Sequence, residues 1–345
     1  MKLRHFRYIK HPLHFIKPAT TSRDTLLSKP TWFIEATFED GLRGIGEISI
    51  IEGLSIERTS SIDDLLSRWA ADPLLAQDFD EKRFPAVAFA MEMCRLDQGN
   101  HVLFPNEFTF GNKAIPINGL VWMADVPTML ESAKEKIAQG FDCVKLKIGA
   151  KDWNEEIEMI RILRSHHDEK KLTIRVDANG AFAPEDAMKK LEQLAKLGVH
   201  SIEQPLHQRF IEESRALCST TPLPIALDEQ LIGVDKSHRE STLEKIQPQF
   251  IILKPSLIGG LAAADHWIQL AEERGIGWWS TSALESNIGL NAIAQWVAEK
   301  SGIAEAYQGL GTGKLYSNNV DAPLEVKNGH LHYTQGEWGA IPWEN

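Results

Sequence analysis

The sequence predicts an α/β chain whose larger part is a parallel barrel of the (β/α)7β kind, joined to a smaller α+β unit. Three observations predict it. Across residues 111–313, short apolar, β-branched runs alternate with amphipathic stretches of helical period, which is the texture of a parallel sheet. Eight strand candidates stand against only seven intervening helical stretches, a count that suits a closed barrel. No glycine-rich dinucleotide fingerprint follows the first of these strands, which counts against an open doubly wound sheet.

Residues 1–110 read as the α+β unit. Residues 31–38 (TWFIEATF) form a strand that turns through Glu39-Asp40-Gly41 into a second strand over 42–50, a hairpin pattern. Residues 57–98 carry helical periodicity, interrupted near Asp72-Pro73 and Phe84-Pro85 because proline cannot continue a helix. The barrel strands are then placed at 115–122, 143–148, 172–177, 201–203, 225–228, 250–254, 277–281 and 305–308, with helices such as 126–139, 184–197 and 261–274 between them. Residues 314–345 lose that rhythm. Their turn signals at Asn318-Asn319, Asp321-Ala322-Pro323 and Asn328-Gly329 separate short strands, and the tail is expected to return to the first region.

Composition narrows the function. The 345 residues hold 37 basic and 48 acidic side chains, a formal net charge of −11. Such a surface lacks the basic footprint of a nucleic-acid binder and is repelled by anionic membranes, so neither is expected as a partner. Hydrophobic residues at 43% and charged residues at 25% exclude a disordered chain. Cys94, Cys143 and Cys218 give neither a disulfide framework nor a zinc spacing, which suits a reducing cytoplasm. The start has no apolar run behind its charges, and no segment reaches the length of a membrane helix. A cytoplasmic protein is expected.

The chemistry lies at the strand ends. Lys147, Asp177, Glu203, Asp228 and Lys254 close five consecutive strand candidates, 30, 26, 25 and 26 residues apart, about one βα unit each. In a parallel barrel those ends converge on one face. Three carboxylates meeting there repel one another unless a cation lies between them, and an all-oxygen set without His or Cys favours Mg²⁺ over zinc. Lys145 and Lys147 are two residues apart on a strand and so point the same way. Crowding and burial both work against a permanent charge on Lys147, which suits a base acting near neutrality. A metal flanked by Lys147 and Lys254 fits removal of a proton α to a carboxylate, a weakly acidic position that needs strong electrostatic help.

The motifs Lys145-Leu146-Lys147, Asp177-Ala178-Asn179, Glu203-Gln204-Pro205, Asp228-Glu229 and Lys254-Pro255 resemble those of the enolase superfamily, in its muconate-lactonizing branch. The resemblance spans the chain. It implies a modified (β/α)7β TIM-type barrel with an α+β capping domain formed by the N-terminal region and the C-terminal tail. It implies Lys147 as the proton-abstracting base, Asp177, Glu203 and Asp228 as ligands of Mg²⁺ (with Mn²⁺ as a substitute), and a small-molecule carboxylate as substrate. Lys145, Asn179 and Glu229 support those groups, and Lys254 faces the intermediate from the other side.

Within the branch, dipeptide epimerases carry an Asp-x-Asp after the last strand, where this chain reads Gln308-Gly309-Leu310-Gly311-Thr312-Gly313. Mandelate-racemase-like members have a His in place of the second lysine. The segments 282–289 and 309–313 resemble instead the o-succinylbenzoate synthases, whose syn-dehydration serves menaquinone synthesis. N-succinyl amino acid racemase, using the same two lysines and metal, is the alternative. Candidate substrate contacts are Arg23 in an N-terminal loop, Ser286 at a helix start where it equally serves as an N-cap, and Gly311 and Thr312, whose loop either cradles a carboxylate or is only a turn. Trp278 and Trp279 are expected to pack on the barrel wall.

Overall fold

The computed structural model describes residues 2–21, 24–97, 99–300 and 306–343. The N-terminal region holds β1 (Leu3–Lys10), β2 (Leu13–Thr20), β3 (Thr25–Lys29), β4 (Thr31–Phe38) and β5 (Arg43–Ser49). Strands β1, β4 and β5 form one antiparallel sheet, while β2 and β3 form a separate hairpin. Two helices follow, α1 (Thr59–Ala71) and α2 (Pro85–Leu96), ending and starting at the two prolines that the sequence marks as breaks. The sheet and helices share a core that includes Trp32, Ile34, Leu66 and Trp69. Helix α2 lies almost directly on β5, and the glycines of Arg43-Gly44-Ile45-Gly46 make this approach possible. A Cβ on Gly46 would stand 2.2 Å from the Ala90 carbonyl oxygen, and one on Gly44 2.1 Å from that of Cys94.

The second core belongs to the barrel. After the short β6 (Ile115–Pro116), its elements are β7 (Gly119–Val121), α3 (Val126–Ala138), β8 (Cys143–Lys147), α4 (Trp153–His166), β9 (Thr173–Asp177), α5 (Pro184–Lys196), β10 (Ser201–Glu203), α6 (Ile211–Thr220), β11 (Ile225–Leu227), α7 (Arg239–Ile246), β12 (Phe250–Leu253), α8 (Pro255–Ile258), α9 (Leu261–Glu272), β13 (Gly277–Ser280) and α10 (Asn287–Ala298). Strands β7 to β13 pair in parallel, in sequence order. Gln308 and Gly309 close the ring by bridging Ile117 on one side and Thr281 on the other. The eighth strand is therefore only this bridge, and Glu305, where the sequence places its start, lies outside the described residues.

One expectation needs correction. The apolar run at 115–122 is not a single barrel strand: β6 pairs antiparallel with the tail and only β7 enters the barrel. Pro116 lacks the N–H that a central strand must donate, and the chain changes partner there.

The tail divides as well. Residues 315–317 run along β2, with the Ile16 N–H donating to the Leu315 carbonyl and the Ser317 N–H to that of His14. Beyond them β14 (Leu324–Lys327) and β15 (His330–Tyr333) form a hairpin through Asn328-Gly329, both at positive φ as a two-residue turn requires. It is β15 that pairs with β6. The loop end of the β2–β3 hairpin meets the barrel mouth, where the Met123 N–H donates to the Thr20 carbonyl. Among the described residues, no helix is long and apolar enough to cross a membrane.

Candidate active site

Strand register assembles the site. In the ladders, Lys147 pairs with Asp177 and Asp177 with Glu203, so three strand ends deliver one lysine and two carboxylates side by side. Asp228 and Lys254 follow one residue after β11 and β12. Lys147, Asp177, Glu203 and Asp228 are buried, as are Lys145, Asn179 and Glu229, while Lys254 is part-buried.

The ammonium and carboxylate groups interlock. Lys145 Nζ lies 2.6 Å from Glu203 Oε2 and 3.0 Å from Asp177 Oδ2. Lys147 Nζ donates to Asp177 Oδ2 at 2.6 Å and to Asn179 Oδ1 at 2.9 Å. Lys254 Nζ donates to Asp228 Oδ2 and stands 3.9 Å from Glu203 Oε1. Asn179 is itself held, its N–H donating to Asp177 Oδ1 at 3.0 Å and its amide to Glu229 Oε1 at 3.0 Å. The turns after β9 and β10 place Asn179 and Gln204 at φ +46° and +39°. Left-handed backbone at non-glycine residues costs energy and clusters at functional sites.

Electrostatics follow from this packing. Burial opposes charge on Lys145, but the Asp177 and Glu203 carboxylates outweigh it and hold its pKa above the ordinary value. Burial likewise disfavours the Asp177 anion, yet Lys145 and Lys147 keep that carboxyl well below the usual range. Lys254 is raised, with burial overcome by Asp228 and Glu203. Glu203 goes the other way: burial and the adjacent Asp177 carboxylate push it up to about 7.

The donor set can be tested against a metal. As they stand, the three ammonium groups lie against the carboxylates, and among the described residues no three carboxylate, imidazole or thiol groups are gathered as a cage. Asp177, Glu203 and Asp228 nevertheless supply only hard oxygen donors from three adjacent strands, and buried Glu203 Oε1 has no hydrogen-bond partner among the described residues. An orphaned carboxylate oxygen in that setting fits a divalent cation.

Above the charged groups lies a cavity of about 320 Å³. Lys145, Lys147, Asn179 and Lys254 form its floor, and Leu26, Ile51 and Leu54 cover it from the N-terminal region.

A family model described as enolase C-terminal domain-like matches residues 128–338. This chain belongs to that family. An o-succinylbenzoate synthase of Desulfotalea psychrophila is 44% identical over 94% of this chain and 97% of its own length. The crystal structure of MenC from Desulfotalea psychrophila superposes with a TM-score of 0.84 at 40% identity, covering 95% of this chain and 99% of that one. A muconate lactonizing enzyme from Pseudomonas fluorescens, 21% identical, shares the fold with a TM-score of 0.82 over 96% of this chain and 94% of that one.

The remaining candidates divide. Gly311 and Thr312 line the cavity, and the buried Thr312 hydroxyl has no partner among the described residues. Ser286 is not brought to the cavity. It is fully buried, caps α10 by accepting from the Ile288 N–H at 3.1 Å, and donates its hydroxyl to Glu47 of β5. A helix start pressed against another unit has its N-cap buried with it. Arg23 lies outside the described residues.

Sequence reasoning missed part of the wall. Trp279 lines the cavity together with Leu120 and Trp122, and the Arg175 guanidinium stacks 3.9 Å from its ring centre. Trp278 instead donates its indole N–H outward to Glu272 at 3.2 Å. Strand alternation was the available signal, since adjacent residues face opposite sides. Arg175 makes no ion pair with the three acids and donates to the Tyr307 carbonyl instead.

Proposed function

We propose that this chain is an o-succinylbenzoate synthase, dehydrating 2-succinyl-6-hydroxy-2,4-cyclohexadiene-1-carboxylate to o-succinylbenzoate. The observation that carries the reading is that Lys147 and Lys254 border one cavity on either side of the carboxylate trio. The 44% identical relative of that name supports it. Residues 111–313 serve as the catalytic barrel, and residues 1–110 with 314–345 as the cap. The protein acts in the cytoplasm on a small-molecule carboxylate.

Asp177, Glu203 and Asp228 would hold Mg²⁺, for which Mn²⁺ could substitute, and a cation there would supply Lewis-acid stabilisation of the charge that develops on the substrate carboxylate. Lys147 is the base. It takes the proton from the carbon bearing the carboxylate, and the electron pair left behind moves toward the carboxylate as the enediolate. Asp177 and Asn179 aim the Lys147 amine, while Lys145 and Glu229 steady the carboxylate and the amide. Lys254 faces the developing anion with a fixed positive charge. The proton on Lys147 then passes to the hydroxyl on the neighbouring carbon. That C–O bond breaks, water leaves from the face on which the proton was taken, and the ring becomes aromatic. Gly311 and the free Thr312 hydroxyl bind the remote succinyl group, with Arg23 as a further contact for its carboxylate.

A second reading, N-succinyl amino acid racemase, is favoured by the placement of Lys254 opposite Lys147, where a second acid/base would stand. The test is formation of the aromatic product by the Mg²⁺-loaded protein, before and after chelation. Fast turnover that chelation abolishes supports the synthase. No turnover in the loaded protein, with deuterium exchange at the α-carbon of N-succinyl amino acids, replaces it with the racemase.

A further inference from the structure

A buried polar cluster centred on Glu285, which does not itself line the cavity, lies between the cap and the strand end that carries Lys254. Glu285, in the turn after β13, is completely buried. It accepts the Ser256 hydroxyl on one carboxylate oxygen and the Ser282 hydroxyl, at 2.5 Å, on the other. Ser256 lies two residues beyond Lys254 in the short helix α8, and Ser282 lines the cavity.

The turn between these groups is strained. Leu284 has φ +65°, a conformation rare for a bulky side chain, and it too lines the cavity. Three bonds hold it there. The Ser282 hydroxyl accepts from the Leu284 N–H at 3.0 Å and from the Glu285 N–H at 3.2 Å, and the Tyr316 hydroxyl donates to the Leu284 carbonyl at 2.6 Å.

On its other side the cluster reaches the cap. Glu47 accepts the Ser286 N–H at 2.8 Å and the Gly289 N–H at 2.8 Å. Lys29, buried at the end of β3, donates to Ser49, and burial lowers its pKa against the opposing pull of the Glu285 and Glu47 carboxylates. Burying so many ionisable groups only to stabilise the fold is poor economy, since a well-packed apolar cluster of equal volume is commonly as stable. What a buried polar cluster adds is fixed geometry, and this one runs from Glu47 in the cap to Ser256 and Ser282 beside the site.

We infer that Glu285 is a positioning residue: through Ser256 it fixes the backbone that carries Lys254, through Ser282 it fixes the strained Leu284 wall, and the adjacent Ser286, bonded to Glu47, joins both to the cap. The inference rests on the reading that Lys254 stabilises the anion formed when Lys147 takes the proton. Glu285 does not touch substrate, so its loss acts on the rate step and not on ground-state binding.

The test uses Glu285→Gln, Ser256→Ala and the double variant, all loaded with Mg²⁺. In Glu285→Gln, kcat for dehydration falls about 10- to 100-fold, the cost of misplacing a catalytic group by a fraction of an ångström to one ångström, while KM stays within about threefold. Ser256→Ala lowers kcat with KM likewise unchanged, and the double variant is no worse than Glu285→Gln alone, because both act through one bond. Amide hydrogen exchange over residues 256–260 quickens in both single variants and stays constant over 145–149. Unchanged kcat in both variants of an enzyme whose wild type turns over, or losses that multiply in the double variant, overturns the inference and leaves the proposed function standing. If wild type does not turn over, the proposed substrate fails and exchange decides the positioning role: quickening at 256–260 upholds it and unchanged protection overturns it. Should Glu285→Gln fail to fold, Ser256→Ala carries the same kinetic and exchange readouts.

Discussion

Glu57 stores a pH dependence of stability that can be worked out in advance. Its side chain is 4% exposed. One oxygen accepts the Ala86 N–H at 2.6 Å, at the first turn of α2, and the other has no partner among the described residues. Burial pushes this carboxyl from the ordinary 4.5 up to about 7, more than the backbone hydrogen bond pulls it down. The folded state therefore holds its proton more tightly than the unfolded state. Its contribution is complete below the unfolded value and is lost as pH rises through the folded one. At 1.36 kcal/mol per unit, the full loss is about 3 kcal/mol, most of it between pH 5 and pH 8. Glu57→Gln keeps an acceptor for Ala86 and removes the titration. Urea unfolding of wild type and variant from pH 5 to 8 gives the difference, in which every other titrating group cancels. Wild type should lose about 2 to 3 kcal/mol relative to the variant over that range. A difference that stays flat with pH, or that rises, refutes the reasoning.

Other outcomes follow from the same structure. Gly46→Ala drives a Cβ into the Ala90 carbonyl, so α2 must lift from β5; urea unfolding should show a loss of about 1–3 kcal/mol, and an unchanged midpoint would mean the helix has room to move. Thr312→Val keeps the shape of a buried side chain whose hydroxyl has no protein partner, so KM should rise about tenfold, matching one hydrogen bond to substrate, without loss of stability in thermal melts. Chelation should abolish turnover, with Mg²⁺ or Mn²⁺ restoring it on titration into the stripped protein; restoration by neither would remove the metal from the account.

How much of this was legible in the sequence differs by element. Lys147, Asp177, Glu203, Asp228 and Lys254 were legible because the βα unit spaces them regularly and parallel register then forces them together. The strands β1 to β3 were not. A bulge between Leu3 and His5 breaks the alternation of β1, and the β2–β3 hairpin leaves Ile16 and Leu27 exposed at 61% and 67%, so neither shows an apolar face. The division of the 115–122 run was signalled by Pro116, but its partner lies over two hundred residues away in β15, and no local pattern names it. Ser286 read equally as a cap and as a substrate contact because both follow from a helix start; only the position of Glu47 on another unit separates them. The Lys29–Glu47–Glu285 cluster left no motif, since its members come together only when the cap closes on the barrel.

The base is the centre of the account, and a single comparison tests it: formation of o-succinylbenzoate by wild type and by Lys147→Ala, both shown to be saturated with Mg²⁺. Removing a general base should lower kcat by about 10²- to 10⁴-fold, while metal affinity stays close to that of wild type because Asp177 keeps Lys145 at 3.0 Å. A variant that dehydrates the substrate at a rate near wild type would contradict the assignment of Lys147 as the base.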